Sequence, residues 1–570
     1  MILPTAADRA LRLADFATLT EALDYAATGA TGVSLHSMRG EVAEALSYAR
    51  LAEEARAIAG RLLAVGLAAG DRVGLIAETD GDFLRAFFAC QYAGLTPTPL
   101  PLPAPLGGRE AYVAQVGRML AAAEATALLG PAAITAWIAE APPVPLRFVG
   151  VIADLPKAAA SALPAITPDD PCYLQFSSGS TRFPTGALVT HRALMANAQA
   201  IIRHGLQVRP RDRAISWLPL YHDMGLVGFV LSPLACQMSV DLLPTGAFVR
   251  RPLLWLELIG RNGGTISYSP TFGFELCARR AEAAGVEGLN LSGWRIAGLG
   301  GDMIRTGPLV EFAKRFAPAG FSDKAYVASY GMAEATLALT MAPLDQGLGV
   351  ETLDIGRLEQ DRLAVAGDAQ ARTRDFARCG PPLPDHELQV RDEDGRPLPE
   401  RAVGRIFARG PSLMQGYFHQ PEETARVLSA DGWLDTGDLG FLDLGEIVLT
   451  GRSKDLMIVN GRNIWPQDLE WTCEAELAVL RSGDVAAFSV PGQEDEQVVV
   501  LVQTRSSDPA VRSELSAEVG RVLRQRHSVE AEVRLVGAHA LPQTSSGKLS
   551  RSKARLAYLA GAYDLERAGA

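Results

Sequence analysis

Hydroxyls and glycines crowd one stretch of this chain, Ser177-Ser178-Gly179-Ser180-Thr181-Arg182-Phe183-Pro184-Thr185-Gly186. Glycines let backbone N–H groups turn toward an anion, and Ser and Thr hydroxyls add donors at little steric cost, so the composition suits a triphosphate. Apolar runs flank it: Tyr173-Leu174-Gln175-Phe176 is predicted as a buried strand, and Ala187-Leu188-Val189-Thr190 as a second strand before a helix that opens near His191. No Gly-Lys-Ser/Thr follows and the chain continues into a strand, so this is not a Walker loop. A Ser/Gly-rich hairpin turn has the same composition, and by itself the stretch leaves both readings open.

Four further clusters hold residue types that activation of a carboxylate by ATP would require. Tyr330-Gly331-Met332-Ala333-Glu334 offers a ring that can stack on a nucleobase, a glycine that permits close approach, and a carboxylate able to hold Mg²⁺; a helix start with an N-terminal carboxylate reads the same way. Gly432-Trp433-Leu434-Asp435-Thr436-Gly437-Asp438 puts a carboxylate on a tight turn, where it can accept both ribose hydroxyls or simply close a β-turn. Gly451-Arg452-Ser453-Lys454-Asp455 presents an arginine for ribose or phosphate and then a pivot, against the alternative of a solvated charge cluster. Pro542-Gln543-Thr544-Ser545-Ser546-Gly547-Lys548 is a loop with one lysine near the C-terminus, suited to neutralising a carboxylate and an α-phosphate as they approach; a surface lysine is its bland counterpart.

The elements that must position these clusters follow from length and pattern. A chain of 570 residues with 48% hydrophobic content exceeds one hydrophobic core, so two or more domains are expected. With 54 basic against 65 acidic residues, a formal charge of −11 and no Lys/Arg block, nucleic acid is excluded as a bulk electrostatic partner. Six cysteines lie scattered without a C-x-x-C pair, which suggests neither zinc nor disulfides and makes a reducing cytoplasm the expected setting. Met1 to Phe16 lacks the apolar run of a signal peptide, and the longest apolar candidate, Met224 to Ala235, reads as a buried core segment with no stable membrane insertion.

Strand and helix patterns alternate from about Gly32 to Gly150, including a helix from Tyr48 to Leu67, a strand from Arg72 to Ala77 and a helix from Asp82 to Ala93. The order predicts an α/β layer fold with a mostly parallel sheet. Pro97 to Pro105 is expected to be an ordered surface crossing. A second α/β stretch runs from Cys172 to about Thr340, with a helix from Pro252 to Asn262 and a strand from Thr265 to Ser269. From Gly380 to about residue 450 short strands with turn signals predict a small β-rich subdomain, and from about Leu456 helices and strands alternate again.

In this order the five motifs Ser-Ser-Gly-Ser-Thr, Tyr-Gly-Met-Ala-Glu, Thr-Gly-Asp, Gly-Arg-Ser-Lys-Asp and Thr-Ser-Ser-Gly-Lys resemble the core motifs of the adenylate-forming superfamily, from Tyr48 to Arg555. Three closer runs resemble its fatty acyl-AMP ligase branch: Phe88-Ala89-Cys90-Gln91-Tyr92-Ala93-Gly94-Leu95, Pro219-Leu220-Tyr221-His222-Asp223-Met224-Gly225-Leu226, and Gly461-Arg462-Asn463-Ile464-Trp465-Pro466-Gln467-Asp468-Leu469-Glu470. The resemblance implies a large N-terminal domain (residues 1–453) of two α/β subdomains plus a small β-barrel, and a small mobile α+β C-terminal domain (454–570). Glu351 to Asp375, which lacks a strong periodic pattern, stands where that branch has an insertion thought to restrain the small domain and disfavour transfer to coenzyme A.

By the same resemblance Ser177, Ser178, Gly179, Ser180 and Thr181 hold the pyrophosphate portion of ATP, and Gly301, Asp302, Ser329, Tyr330, Gly331 and Met332 belong to the nucleotide site. Glu334 serves Mg²⁺, Asp438 and Arg452 serve the ribose, Lys454 is the hinge, and Lys548 serves the carboxylate and α-phosphate. His222 stands at the mouth of the acyl pocket, as a structural or a direct participant, with Asp223 and Gly225 shaping its turn and Ser269, Thr271 and Phe272 on the pocket wall. The chain departs from the family where Thr185 and Arg182 replace a loop lysine and glycine, and where Gly300-Gly301-Asp302-Met303-Ile304 replaces Asn-Gly-Ala-Glu-Pro. The expected reaction is ATP-dependent formation of a fatty acyl-adenylate with release of pyrophosphate, then acyl transfer to the phosphopantetheine of an acyl carrier protein of polyketide or nonribosomal peptide type, on a separate chain. An acyl-CoA synthetase is the alternative, and a non-catalytic acyl- or nucleotide-binding protein a more distant one.

Overall fold

Short runs of small and β-branched residues, buried on both faces, are what parallel strands covered by helices require. The structure, a computed structural model, describes residues 2–5, 9–103, 108–157, 162–176, 184–459, 461–492, 496–543 and 549–563. They group into two compact units. The first comprises Met1–Gly349, Arg378–Leu388 and Ala408–Leu434; the second comprises Val350–Ala377, Gln389–Phe407 and Asp435–Ala570.

In the first unit the strands are β1 (Gly32–His36), β2 (Val42–Ser47), β3 (Arg72–Ile76), β4 (Thr96–Leu100), β5 (Ala125–Leu129), β6 (Phe148–Gly150), β7 (Pro171–Phe176), β8 (Gly186–Thr190), β9 (Arg213–Ser216), β10 (Ser239–Leu242), β11 (Ile266–Ser269), β12 (Ile296–Leu299), β13 (Tyr326–Gly331) and β14 (Ala338–Met341). Eight of them form a sheet in the order β14-β13-β12-β11-β9-β10-β1-β2. It is parallel from β13 through to β1, with antiparallel partners at its two ends. A second, all-parallel sheet runs β4-β3-β5-β6, and β7 and β8 make an antiparallel hairpin. Helices cover the sheets, and beneath Leu253–Asn262 and Thr271–Ala284 lies an aromatic core in which Trp255 meets Phe274 and Trp294 edge-on at 5.4 and 5.2 Å.

The proline-rich run is not a surface crossing. Thr96-Pro97-Thr98-Pro99-Leu100 is a buried edge strand paired with β3. The Thr96 N–H reaches Asp71 O (2.8 Å) and Leu100 O accepts from Ala77 N (3.0 Å), so the even-numbered residues face β3 and both prolines face away, where no N–H is needed.

The second unit holds β15 (Val350–Asp354) and β16 (Thr373–Ala377), paired antiparallel and joined by a helix over Ile355–Asp361. This is the stretch without periodicity; elements of five to seven residues are too short to show it. The strands β17 (Glu387–Arg391), β18 (Gly404–Arg409), β19 (Leu434–Asp443) and β20 (Glu446–Arg452) form a four-stranded sheet in that order, and no closed barrel occurs among the described residues. Asp438 lies within β19 and not on a tight turn; Gly437 takes a left-handed φ of 72° inside the strand, which a glycine permits and a turn prediction mistakes for a reversal. Further on come β21 (Met457–Val459) paired with β22 (Arg462–Ile464), and β23 (Val485–Pro491), β24 (Glu496–Gln503) and β25 (Ala531–Val536) in one sheet covered by helices Pro466–Glu476 and Pro509–His527. No described helix is long and apolar enough to cross a membrane, and the six cysteines are all buried and form no disulfide.

One fully buried ion cluster anchors the first sheet. Asp241 on β10 accepts from His36 Nε2 (2.7 Å), Arg213 Nε (2.5 Å) and Asn262 Nδ2 (3.0 Å). Burial pushes its carboxyl up, but the hydrogen bonds and charges of His36 and Arg213 outweigh burial and leave it below the ordinary carboxylate range. A carboxyl lowered in the folded state stabilises above its unfolded pKa of about 3.9 and loses that contribution as pH falls through the lower folded value. Asp241→Asn, which strands Arg213 in the interior, is expected to cost about 3–5 kcal/mol at pH 7 and to flatten the acid limb of stability, measured by denaturant titration between pH 7 and pH 3.

Candidate active site

Five neighbouring parallel strands of the large sheet, β10, β9, β11, β12 and β13, end on one edge, and the segments leaving four of them carry the predicted site. That edge is where open α/β sheets hold ligands. Leaving β9, the chain passes Trp217 and turns through Pro219–His222 into a helix starting at Asp223. A Cβ on Gly225 would lie 2.2 Å from Pro219 O, so only glycine allows the turn to close against that helix. His222 Nδ1 stands 2.6 Å from Asp223 Oδ1. The same Nδ1 lies 3.4 Å from Met224 N, so the ring is held between Asp223 and the first turn of the helix. Asp223 Oδ1 also accepts from Met224 N (2.7 Å).

Tyr268 on β11 lies across β12. A Cβ on Gly298 would come within 2.1 Å of the Tyr268 ring; without it the phenol reaches Ser329 Oγ on β13 at 3.3 Å. Burial holds the phenol pKa up, so this hydroxyl stays protonated. The next turn of β11 brings Ser269, Thr271 and Phe272 together: Ser269 Oγ donates to Pro270 O (2.8 Å), Thr271 Oγ1 accepts from Arg305 N (3.3 Å), and Phe272 meets Trp217 edge-on at 5.7 Å. At the end of β12 Gly301 takes a φ of 79°, and Asp302 beside it accepts from Met303 N (2.8 Å) in an exposed position.

Beyond β13 the Tyr-Gly-Met-Ala-Glu motif is not a regular helix start but a strand end running into a single 3₁₀ turn, Ala333–Ala335. Gly331 admits no side chain, because a Cβ would lie 1.8 Å from Leu337 O, and Thr336 holds a φ of 68° that only a tight framework keeps in a β-branched residue. The result fixes Glu334, which is 7% exposed: its backbone O accepts from Met414 N (2.8 Å) and its Oε1 accepts from the Tyr417 hydroxyl (2.8 Å). Burial and then the Glu334 charge push the Tyr417 phenol up, which keeps it the donor. Residues 414–418 in turn lie along β8, through Leu188 N to Gly416 O (3.0 Å) and Phe418 N to Gly186 O (2.9 Å). The strand leaving the Ser/Gly-rich loop and the predicted metal carboxylate are thereby tied together. On the strand entering that loop, Gln175 Nε2 donates to Tyr221 O (2.8 Å), which ties the loop's other side to the His222 turn.

In the second unit Asp438 and Arg452 are register partners on β19 and β20, with Arg452 Nε 3.4 Å from Asp438 Oδ1. Ser453 Oγ donates to Gly437 O (3.0 Å), and Lys454 sits exposed in the 3₁₀ turn Ser453–Asp455. A half-buried carboxylate and an exposed guanidinium side by side suit a diol and its neighbouring phosphate. Ser177, Ser178, Gly179, Ser180, Thr181 and Arg182 of the loop, and Lys548, lie outside the described residues.

Sequence reasoning missed Tyr417, Tyr268, Gln175 and Trp217. Tyr417 sits in Gly416-Tyr417-Phe418, a run whose only signal is a glycine before two aromatics in a polar stretch; the others look like ordinary strand residues.

Residues 29–418 match the AMP-binding enzyme family. A Caulobacter vibrioides protein, provisionally named an acyl-CoA synthetase, is 68% identical over 99% of both chains. The medium-chain fatty acid–acyl-carrier-protein ligase JamA of Moorena producens is 31% identical over 96% of both. A solved structure from a study of fatty acyl-adenylate ligases of E. coli and L. pneumophila superposes with a TM-score of 0.92 at 42% identity, covering 98% of this chain and 100% of that one. The chain is an enzyme of the AMP-binding family and belongs to its fatty acyl-AMP ligase branch.

Proposed function

We propose that this enzyme joins a fatty acid to AMP and then passes the acyl group to the phosphopantetheine thiol of an acyl carrier protein, in the cytoplasm. In the first step a carboxylate oxygen attacks the α-phosphorus of ATP, the bond to the bridging oxygen breaks, and pyrophosphate leaves. Lys548 neutralises charge on the carboxylate and α-phosphate, the loop from Ser177 to Thr181 holds the departing phosphates, Ser329 to Met332 with Gly301 and Asp302 line the nucleotide site, and Asp438 with Arg452 receives the ribose. Positioning and charge neutralisation supply most of the rate. In the second step the thiol sulfur attacks the acyl carbonyl, AMP leaves, and the thiol proton passes to solvent. Lys454 is the hinge about which the chain beyond it rotates between steps. His222, held against Asp223, stands at the mouth of the acyl pocket.

Mg²⁺ fits Glu334. The carboxylate is buried and fixed by Tyr417, and no cluster of three His, Cys, Asp or Glu ligands occurs among the described residues, so a metal there would complete its shell with phosphate oxygens and water, the usual habit of Mg²⁺. Bound there, it would offset charge on the phosphates. Tyr417→Phe, which removes this hydrogen bond without altering the charge of Glu334, is expected to raise the Mg²⁺ concentration needed for half-maximal adenylation by about 10–100-fold, read from pyrophosphate release across a Mg²⁺ titration.

One observation supports a carrier protein over coenzyme A as the acceptor: how the segment over β15 and β16 is bonded. Glu359, whose side chain is 1% exposed, accepts from Arg372 and from Arg462 Nη2 (2.6 Å), and Asn463 Nδ2 donates to Glu359 O (2.9 Å). Arg374 pairs with Asp468 while its guanidinium lies 3.9 Å over the Phe376 ring. Arg462, Asn463 and Asp468 all lie beyond Lys454, so these bonds oppose the rotation. The name of the Caulobacter protein favours the acyl-CoA alternative, and the acceptor assay decides between them.

Three outcomes are expected with Mg·ATP, a fatty-acid panel, and coenzyme A or phosphopantetheinylated carrier protein in parallel. Acyl-AMP accumulates with coenzyme A and discharges onto the carrier; efficient acyl-CoA formation would make the protein a conventional synthetase. Lys548→Ala lowers adenylation by about 10²–10³-fold while transfer from supplied acyl-AMP persists, and an equal fall in both steps would refute the division of labour. Arg374→Ala raises acyl-CoA formation about tenfold relative to acyl-carrier formation if the segment restrains rotation; an unchanged ratio would refute the restraint.

A further inference from the structure

Trp217 follows β9 directly, on the edge from which the other site residues emerge. It is 2% exposed, yet its indole Nε1–H has no hydrogen-bond partner among the described residues. A buried indole N–H that has given up water ordinarily finds an acceptor, and one that has not calls for an explanation. The ring is not free to turn toward one. It stacks on Phe248 at 3.8 Å and 8°, and meets Phe272 and Trp255 edge-on at 5.7 and 6.3 Å. The hydroxyls nearby donate elsewhere and neither accepts from the indole: Ser269 Oγ donates to Pro270 O (2.8 Å), and Thr245 Oγ1 donates to the Trp217 carbonyl (2.8 Å). Gly273 packs against this side of the ring, where a Cβ would come within 2.9 Å of Cζ2, two bonds from Nε1. The donor is therefore held fixed beside the Ser269–Phe272 segment.

We propose that the Trp217 Nε1–H determines substrate specificity, and that the fatty acid activated by this enzyme carries an uncharged oxygen acceptor, a hydroxyl or carbonyl, along its chain. The inference rests on the ligase reading, which makes Ser269, Thr271 and Phe272 the wall of the acyl pocket. A plain alkyl chain laid against this wall leaves the donor unpaired, whereas a chain oxygen satisfies it, and a site built to hydrogen-bond a substrate discriminates strongly against the analogue that lacks the group. The carboxylate of the acid is not the partner, because aromatic neighbours give a charge little in exchange for its hydration, while a neutral oxygen loses less on entering.

The test is ATP–pyrophosphate exchange with saturated medium- and long-chain acids and their monohydroxy and mono-oxo isomers, the oxygen placed at successive carbons. At least one isomer is expected to exceed its parent by about tenfold or more in kcat/KM, and Trp217→Phe, which keeps a ring but removes the N–H, to bring that ratio to about one whatever the absolute rate. A purely packing role would change the rate with every acid and leave the ratio standing. No isomer favoured by more than about threefold, or a preference that survives in Trp217→Phe, overturns the proposal. Should the variant not fold, the wild-type ratios decide alone. Exchange with the plain acids but no preference defeats this inference only; no acid-dependent exchange at all defeats the ligase reading and the inference with it.

Discussion

A parallel sheet buried on both faces leaves polar side chains one place to emerge, the edge where its strands end, and the active site of this enzyme follows from that constraint. Within β9, β10, β11 and β12 every residue but Tyr268 is buried, and it is only past the last hydrogen bonds of these strands and of β13 that His222, Asp302 and Glu334 take up positions with polar partners. Tyr268 shows the rule at its limit. Its ring stays within the sheet only because β12 offers Gly298 opposite it, and the hydroxyl then surfaces beside Ser329. Deleting one side chain on a central strand thus places a polar group on a neighbouring one.

The same economy governs Glu334. Glu334 has neither a long helix nor a strand of its own. Its position comes from a strand end that only Gly331 lets pass beneath Leu337, a strained Thr336, and a tyrosine from a segment some eighty residues onward that adds itself to β8. Strain at Thr336 is tolerated because its hydroxyl donates to Ser412 O (2.7 Å), in the run just ahead of the Tyr417 segment. Holding the carboxylate and holding the strand that leaves the phosphate loop are therefore one structural task.

Much of this was legible in the sequence, and the reasons divide cleanly. Motifs that need a particular residue for backbone reasons, such as Gly331 before Glu334 or Gly225 in the His222 turn, announce themselves because nothing else fits there. The strand–helix alternation of the first unit was readable from periodicity, to within a few residues at each end. What failed were features set by partners distant in sequence. Thr96 to Leu100 looked like a proline-rich crossing because ladder direction, which makes its prolines harmless, is not a local property. The Thr436-Gly437-Asp438 run looked like a turn because a left-handed glycine inside a strand leaves the same signature. Tyr417 and Trp217 gave no signal, since their importance lies in an acceptor and in a missing acceptor that only the fold supplies.

In the second unit the Gly451-Arg452-Ser453-Lys454-Asp455 motif takes on a packing role besides its chemical one. A Cβ on Gly451 would meet Trp465 Cδ1 at 2.4 Å, so the glycine makes room for a tryptophan that lies beyond Lys454 and is 1% exposed. Trp465 shares a core with Leu353, Ile355, Leu358 and Phe376 of the segment over β15 and β16, and with Phe441 and Val448. Swinging the chain about Lys454 would draw Trp465 out of that core. Exposing a buried tryptophan of roughly 200 Å² at about 25 cal/mol per Å² costs on the order of 5 kcal/mol. The ionic bonds of Glu359 and Arg374 and the apolar burial of Trp465 thus hold the same segment together. Under the proposed transfer to a carrier protein, a larger acceptor that offers protein contacts in return would offset such a cost more readily than a small thiol.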